Sequence, residues 1–452
     1  ARRFDWADLL ISRYALGGVA LVVVLCILVK PVSLGLSGYI INGLDIRFDS
    51  IEMGIVTGTH ELTPRIVGFA SCALPVAATA RIQNASLWAH VYGDAEVFRI
   101  GSLSVPPVKT HVFQGIGFNM TVGLHIQQVD AFARAAEDFI MSETTAWTIR
   151  GSVDVTAWFL GVIPISLSDV PLDKEVTLNG MAGFSQKRNP ITVKEILGAH
   201  GALDELKLRV AVNVFNPSFV SAIVTEPAVF GILSEGQHFG IADMDDGIVL
   251  VPGSNVVTLV FTLGRTTKSS VVSDFIAGYI KAQPQQVTVV GNKRSSLDPV
   301  LGGVLERLQA NMTFQPPPTE FVQKVNARVS PTGLNAKVTV YNPLPQPITM
   351  GNLDLAISLM DAPETTIFNL NSAQSQTAVP GTKLNPQETT VLYINLSIMG
   401  AQIGALSEIQ ALVEGAKEGN LLVLAKGPVT ITIDPGFTVT VPYSVERLNT
   451  HL

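Results

Sequence analysis

"LKLRVAVNVFNP", residues 206–217, decides how the rest of the chain is read. Leu206, Leu208, Val210, Val212 and Val214 alternate with Lys207, Arg209, Ala211 and Asn213, and this period of two marks a strand with one buried face. The Asn216-Pro217 step ends it, because proline brings no ladder donor and pushes its predecessor toward extended conformations. The same ending recurs in Ala80-x-Ile82-x-Asn84 and in Val338-x-Val340-x-Asn342-Pro343. The asparagines therefore stand 132 (216 − 84) and 126 (342 − 216) residues apart. The earliest copy departs from the pattern, with Ala85 in place of proline.

Further landmarks follow each asparagine in one order. A proline turn comes first: Pro106-Pro107, Pro252-Gly253 and Pro380-Gly381. A strand follows, in "FNMTVGLHI", "NVVTLVFTL" and "TTVLYINLSI". The period then changes to that of a helix with one apolar face. Val129, Phe132, Ala133, Ala136 and Phe139 or Ile140 make the first such face, Val272, Phe275, Ile276 and Ile280 the second, and Ile403, Leu406, Ile409, Leu412 and Val413 the third. Each helix leads into a short apolar strand ending in glycine, "WTIRG", "VTVVG" and "LLVLAKG". The expectation is a mainly β protein of three tandem β-sandwich modules, each with one amphipathic helix, over 44–186, 190–315 and 319–452. The stiff Pro316-Pro317-Pro318 separates the second from the third, and the polar "SQKRNP" (185–190) the first from the second. Each module is expected to own its core, so that 319–452 folds alone and Val340→Asp unfolds it.

In front of the modules, Tyr14 to Val29 holds no charge and is bracketed by Arg13 and Lys30. With the flanking apolar residues and the stems of those two cations it is long enough to span a bilayer, so 14–36 is read as a transmembrane anchor and 1–13 as a cytoplasmic segment. A signal peptide and a buried core segment are the alternatives. Arg2, Arg3 and Arg13 before the span place the N-terminus inside and the bulk in a lumenal or extracellular compartment. Four glycosylation sequons, at Asn84, Asn119, Asn311 and Asn395, agree with that side. Cys26 and Cys72 cannot pair if the former lies in the bilayer, so packing must supply stability.

A net charge of −7 and the lack of any Lys/Arg run longer than pairs such as Lys187-Arg188 and Lys293-Arg294 argue against nucleic acid as a partner. A charged share of 15% is well below the usual one of about 25%, so apolar surface must pack against neighbours, lipid or ligands. Seven histidines are scattered without ligand spacing, and His125 reads as a solvent-facing strand residue. No metalloprotease, dithiol, nucleophile-elbow or phosphate-loop motif occurs. "DMDDG", Asp243 to Gly247, lacks the distal glutamate of a calcium loop and reads as a solvated turn. No catalytic residue, metal site or cofactor is expected.

The Val-x-Val-x-Asn-Pro strand, the Pro-Gly turn and the helix before "VTVVG" resemble the group 2 late-embryogenesis-abundant (LEA-2) family. The fungal-type version, a domain of unknown function found in tandem behind a membrane anchor, is the form that this chain resembles. The resemblance runs from Leu44 to Tyr443 and departs from the family at Asn84-Ala85. It implies seven-stranded, fibronectin-like sandwiches, a lipid-handling role near vacuolar or lysosomal membranes, and no catalytic residues. The expected function is therefore a non-enzymatic, single-pass membrane protein that binds or transfers lipid, with membrane lipids as partners. Phe132, Phe275, Ile276, Ile280 and Leu406 would line apolar grooves beside the helices. Ala277, small and adjacent, is where a bulky side chain should obstruct such a groove without unfolding the sandwich. The alternative is a structural or assembly subunit, self-associating or part of a membrane complex, whose modules pack into a scaffold or stalk.

Overall fold

The computed structural model describes residues 45–54, 60–71, 77–90, 97–110, 116–159, 163–184, 190–203, 205–224, 227–244, 247–264, 269–330, 333–359, 362–374, 379–397 and 422–449. The expected anchor at 14–36 and the third expected helix at 403–413 lie outside them. Among the described residues no helix is long and apolar enough to cross a membrane. The chain divides into two compact units, one of Ala1–Ala182 with Ser218–Val224 and Val249–Pro252, the other of Gly183–Pro217 with Thr225–Ile248 and Gly253–Leu452.

The first unit contains β1 (Asp45–Gly54), β2 (Glu61–Leu62), β3 (Arg65–Ser71), β4 (Ala77–His90), β5 (Val97–Ser104), β6 (Val108–Thr110), β7 (Ile116–Thr121), β8 (Gly123–Ile126), helix α1 (Val129–Met141), β9 (Thr144–Phe159) and β10 (Ile163–Asn179). One sheet runs β10-β9-β4-β5-β8-β2, with β6 on β4. Val153 and Val170 are buried in it, with Ile82 and Leu172 packed against them. The α1 spacing is met in part: Phe132, Ala133 and Phe139 are buried as expected, Val129, Ala136 and Ile140 are half-buried, and Ala131 and Ala135 are buried beside them. A second sheet begins β7-β3-β1 and is extended by two strands from later in the chain, β13 (Val220–Val224) and β16 (Ile248–Leu250). The Asn216-Pro217 break makes that exchange possible. It ends the preceding strand, Ser218 Oγ accepts from Val220 N at 3.1 Å, and the chain then runs parallel to β1 with Val220 opposite Ile51.

The second unit begins with β11 (Thr192–Gly201), β12 (Leu206–Asn216), β14 (Ala228–Ser234), β15 (Gln237–Met244), β17 (Gly253–Leu263), helix α2 (Ser269–Ile280), β18 (Gln285–Val290), helix α3 (Pro299–Leu305) and β19 (Gln309–Phe314). Its strands close into a barrel in the order β11-β12-β17-β15-β14-β18-β19. Leu206, Leu208, Val210 and Val212 point into its core, while Lys207 and Arg209 are exposed, as the alternation in 206–217 requires. Closure goes further than a two-sheet sandwich: β15 bonds to β17, and β11 runs parallel to β19 with Thr192 opposite Thr313.

The remaining strands are β20 (Val322–Ser330), β21 (Gly333–Tyr341), β22 (Ile348–Leu359), β23 (Ala362–Asn371), β24 (Lys383–Leu384), β25 (Thr389–Ser397), β26 (Leu422–Ile433) and β27 (Phe437–Asn449). They form two sheets, β20-β21-β25 and β23-β22-β26-β27, with β24 on β22. Val338, Val340, Leu353, Leu355, Val429 and Val441 are all 0% exposed and make this sandwich core. The protein is thus mainly β, in several sheets, as the sequence indicates.

Candidate functional site

Helix α2 is the element around which an apolar site is built. Its apolar residues recur at Val272, Phe275, Ile276 and Ile280, and all four are buried. The helix stops because Ala282 turns left-handed (φ 54) and Pro284 cannot continue it, while Gln283 N donates to Gly278 O at 3.0 Å. Phe275 plugs the barrel: its ring centroid lies 4.8 Å from that of Phe239 and 5.1 Å from that of Phe314, the latter edge-on. Ile276, Tyr279 and Ile280 border an apolar crevice with Ile196, Leu206 and Leu208 of the barrel. Its other wall comes from the sandwich: Pro343, Leu344, Ile348, Ile431 and Ile433. About 20 Å³ of space remains, room for about one water molecule.

The barrel and the sandwich are therefore joined rather than strung on a free linker. Phe321 N donates to Ile280 O at 2.8 Å, so the chain after Pro316-Pro317-Pro318 is pinned to the end of α2. Gly201 N donates to Asp434 O and Gly436 N to Gly201 O, both at 2.9 Å. A Cβ on Gly201 would stand 2.2 Å from the Ile433 carbonyl oxygen, so only glycine permits this approach. Tyr443 is almost fully buried, and its Oη accepts from Val322 N at 3.0 Å. Burial raises its phenol pKa above the ordinary value. Burial, with Tyr341 adding to it, pushes Tyr279 up to about 12.

The landmark asparagines also have a physical role. Asn342 is fully buried, and its Nδ2 donates to the carbonyls of Gln346 (2.8 Å), Leu384 (3.2 Å) and Asn385 (3.1 Å). Its Oδ1 accepts from Leu344 N at 3.0 Å. It thus ties the Asn-Pro turn to the approach to β25 and holds Pro343 and Leu344 in the crevice wall. Asn216 is equally buried, at 1% exposure. Asn84, which no proline follows, is exposed instead, with φ 49 at a register shift of β4. Sequence reasoning found the asparagines as a repeat signal and missed this role, along with the joint at Gly201 and Tyr443.

The expected groove residues do not meet in one place. Phe132 lies buried on α1 in the first unit, and Phe275, Ile276 and Ile280 lie in the second. Leu406 lies outside the described residues. Ala277 is itself buried at 4% exposure, so it is not a groove rim, and a bulky side chain there must overpack. On α1, Phe139 packs 6.2 Å from Trp147, whose buried Nε1 finds no hydrogen-bond partner among the described residues. His125 is exposed on β8, its Nδ1 3.9 Å from Glu61 Oε1. Among the described residues no three His, Cys, Asp or Glu side chains are grouped as a metal site needs; Asp245 and Asp246 lie outside them.

No curated protein matches the chain. Among solved structures, a "Biofilm associated protein - BSP domain" is similar at 9% identity and TM-score 0.18, covering 90% of this chain and 67% of that one. The CupB6 tip adhesin from Pseudomonas aeruginosa is similar at 9% identity and TM-score 0.13, covering 61% and 98%. At these scores the likeness carries no argument about fold or activity. Residues 98–225, from β5 through β13 and so across the two units, match the family described as "Protein of unknown function (DUF3712)".

Proposed function

We propose that the chain is a non-enzymatic, membrane-attached scaffold built from three LEA-2-like modules. It is anchored through 14–36, with its bulk lumenal or extracellular. One observation carries the scaffold reading: the apolar seam of α2 is spent on packing the barrel against the sandwich, leaving about 20 Å³ beside it. A helix used as mortar makes two modules one rigid body, which suits bearing or positioning. The wholly hydrophobic wall of the crevice favours lipid binding as a second reading, in which the joint must open to admit an acyl chain. Lipid mass spectrometry on the detergent-free fragment 46–452 separates them. The scaffold reading expects no lipid near stoichiometry, and one acyl chain per protein, displaced by Ile431→Trp, would overturn it.

A further inference from the structure

The end strands of the sheets follow a pattern. A sheet edge presents unpaired N–H and C=O groups and invites another chain to pair, and proteins discourage this with charge, proline or extreme shortness. β10 carries Pro164, Pro171, Lys174 and Glu175; β27 carries Pro442 and Glu446; β23 carries Pro363 and Glu364; β20 carries Lys324 and Arg328. β2 has Glu61 and only 2 residues, and β16 has only 3. Among the described residues two end strands lack every such device: β7, "IGFNMT", and β25, "TTVLYINLS". Both contain a sequon, Asn119-Met120-Thr121 in β7 and Asn395-Leu396-Ser397 in β25.

The geometry around β7 suits modification. Among the described residues β7 pairs only with β3. Asn119 and Thr121 are exposed and Met120 half-buried, as alternation along a strand requires. Arg65, 3.7 Å from Glu52, donates from Nε to Asn119 Oδ1 at 3.1 Å, so the carboxamide oxygen is held. Nδ2 is left without a hydrogen bond among the described residues. Asn395 is half-buried on β25. The other two sequons sit on interior strands. Asn311 is in the closed barrel, with Thr288 Oγ1 donating to its Oδ1, and the Ser86 hydroxyl of the Asn84 sequon is committed to the Arg150 carbonyl.

We propose that Asn119 and Asn395 are N-glycosylated and that their glycans guard the two otherwise undefended sheet edges. The donor class is an oligosaccharide on a polyprenyl pyrophosphate. A bond forms between Nδ2 and the anomeric carbon, the anomeric carbon–oxygen bond to pyrophosphate breaks, Nδ2 gives one proton to a base of the transferase, and the lipid pyrophosphate leaves. A bulky hydrophilic group on an end strand blocks a second strand from approaching, as charge and proline do on the other edges. The proposal rests on the lumenal or extracellular placement above.

The test is expression of the full chain in a eukaryotic secretory host, with site occupancy read by peptide mass spectrometry after enzymatic deglycosylation. A control variant, Glu235→Asn with Gln237→Thr, puts a sequon in the exposed β14–β15 turn, where the left-handed φ of 50 at Glu235 suits asparagine. Occupancy at Asn119 and Asn395 is expected. An occupied control with both natural sites bare overturns the proposal while the compartment stands, and a bare control removes the compartment and the proposal with it. For the guarding role, Asn119→Gln, Thr121→Ala and Asn395→Gln should each raise the oligomer fraction on a sizing column several-fold, and Asn311→Gln should not. Unchanged monomer after loss of both edge glycans would reject the guarding role.

Discussion

Replacing Gly201 with alanine tests the joint at its tightest point. The added Cβ would meet the Ile433 carbonyl oxygen at 2.2 Å and Phe437 Cβ at 2.6 Å. The first of these is backbone and cannot rotate away, so the barrel and the sandwich must separate locally. Overpacking of this kind costs about 1–3 kcal/mol. The two hydrogen bonds that Gly201 makes, to Asp434 O and from Gly436 N, are lost or stretched at about 0.5–1.5 kcal/mol each, for a sum of roughly 2–6 kcal/mol. In a unit of this size each kcal/mol moves the melting point by about 2–4 °C, so a fall of roughly 4–24 °C is expected by calorimetry. Gly436→Ala is the matched control, since a Cβ there meets nothing within 4 Å. If Gly201→Ala melts together with Gly436→Ala, the close approach does not hold the two bodies and the reasoning fails.

Three further outcomes are expected. Asn342→Ala strands the carbonyls of Gln346, Leu384 and Asn385 and the Leu344 N–H in a buried turn, and should cost on the order of 3 kcal/mol in urea denaturation; a loss under about 0.5 kcal/mol would deny it a structural role. Ala277→Trp should lower the melting point clearly instead of leaving it unmoved, and a neutral result would mean that α2 borders an open groove after all. The folded-state pKa of Tyr279 is raised to about 12 against an unfolded value near 10. Stability of the second unit is therefore full below pH 10 and falls as pH rises toward 12, because the unfolded phenol releases its proton first. Urea midpoints at pH 9 and pH 11 check this, with Tyr279→Phe expected to flatten the decline and equal parent midpoints contradicting it.

The strand at 206–217 was legible because its partner face is set by local alternation: Leu206, Leu208, Val210 and Val212 fall where period two puts them, with Ala211 buried as well. The α2 face was legible for the same reason. What covers that face was not, since an amphipathic stripe states that it is buried without naming the neighbour. Ile276 and Ile280 meet Ile431 and Ile433, more than a hundred residues away, and only the fold brings these together. Barrel closure likewise depends on Thr192 finding Thr313, a pairing that no local period records. The passage of β13 to the first unit was hidden because Asn216-Pro217 announces a break and not where the chain goes next. Asn342 was visible as a recurring letter, but its work lies in carbonyls at 384 and 385.

The central claim is that barrel and sandwich form one body through α2 and Gly201. Native-state hydrogen exchange of the full chain at rising denaturant tests it most directly, by comparing amides of β12 in the barrel with amides of β26 in the sandwich. The account predicts that the two sets converge on one opening free energy and one denaturant dependence, and that Gly201→Ala separates them. Two distinct opening free energies in the unmodified protein would contradict it.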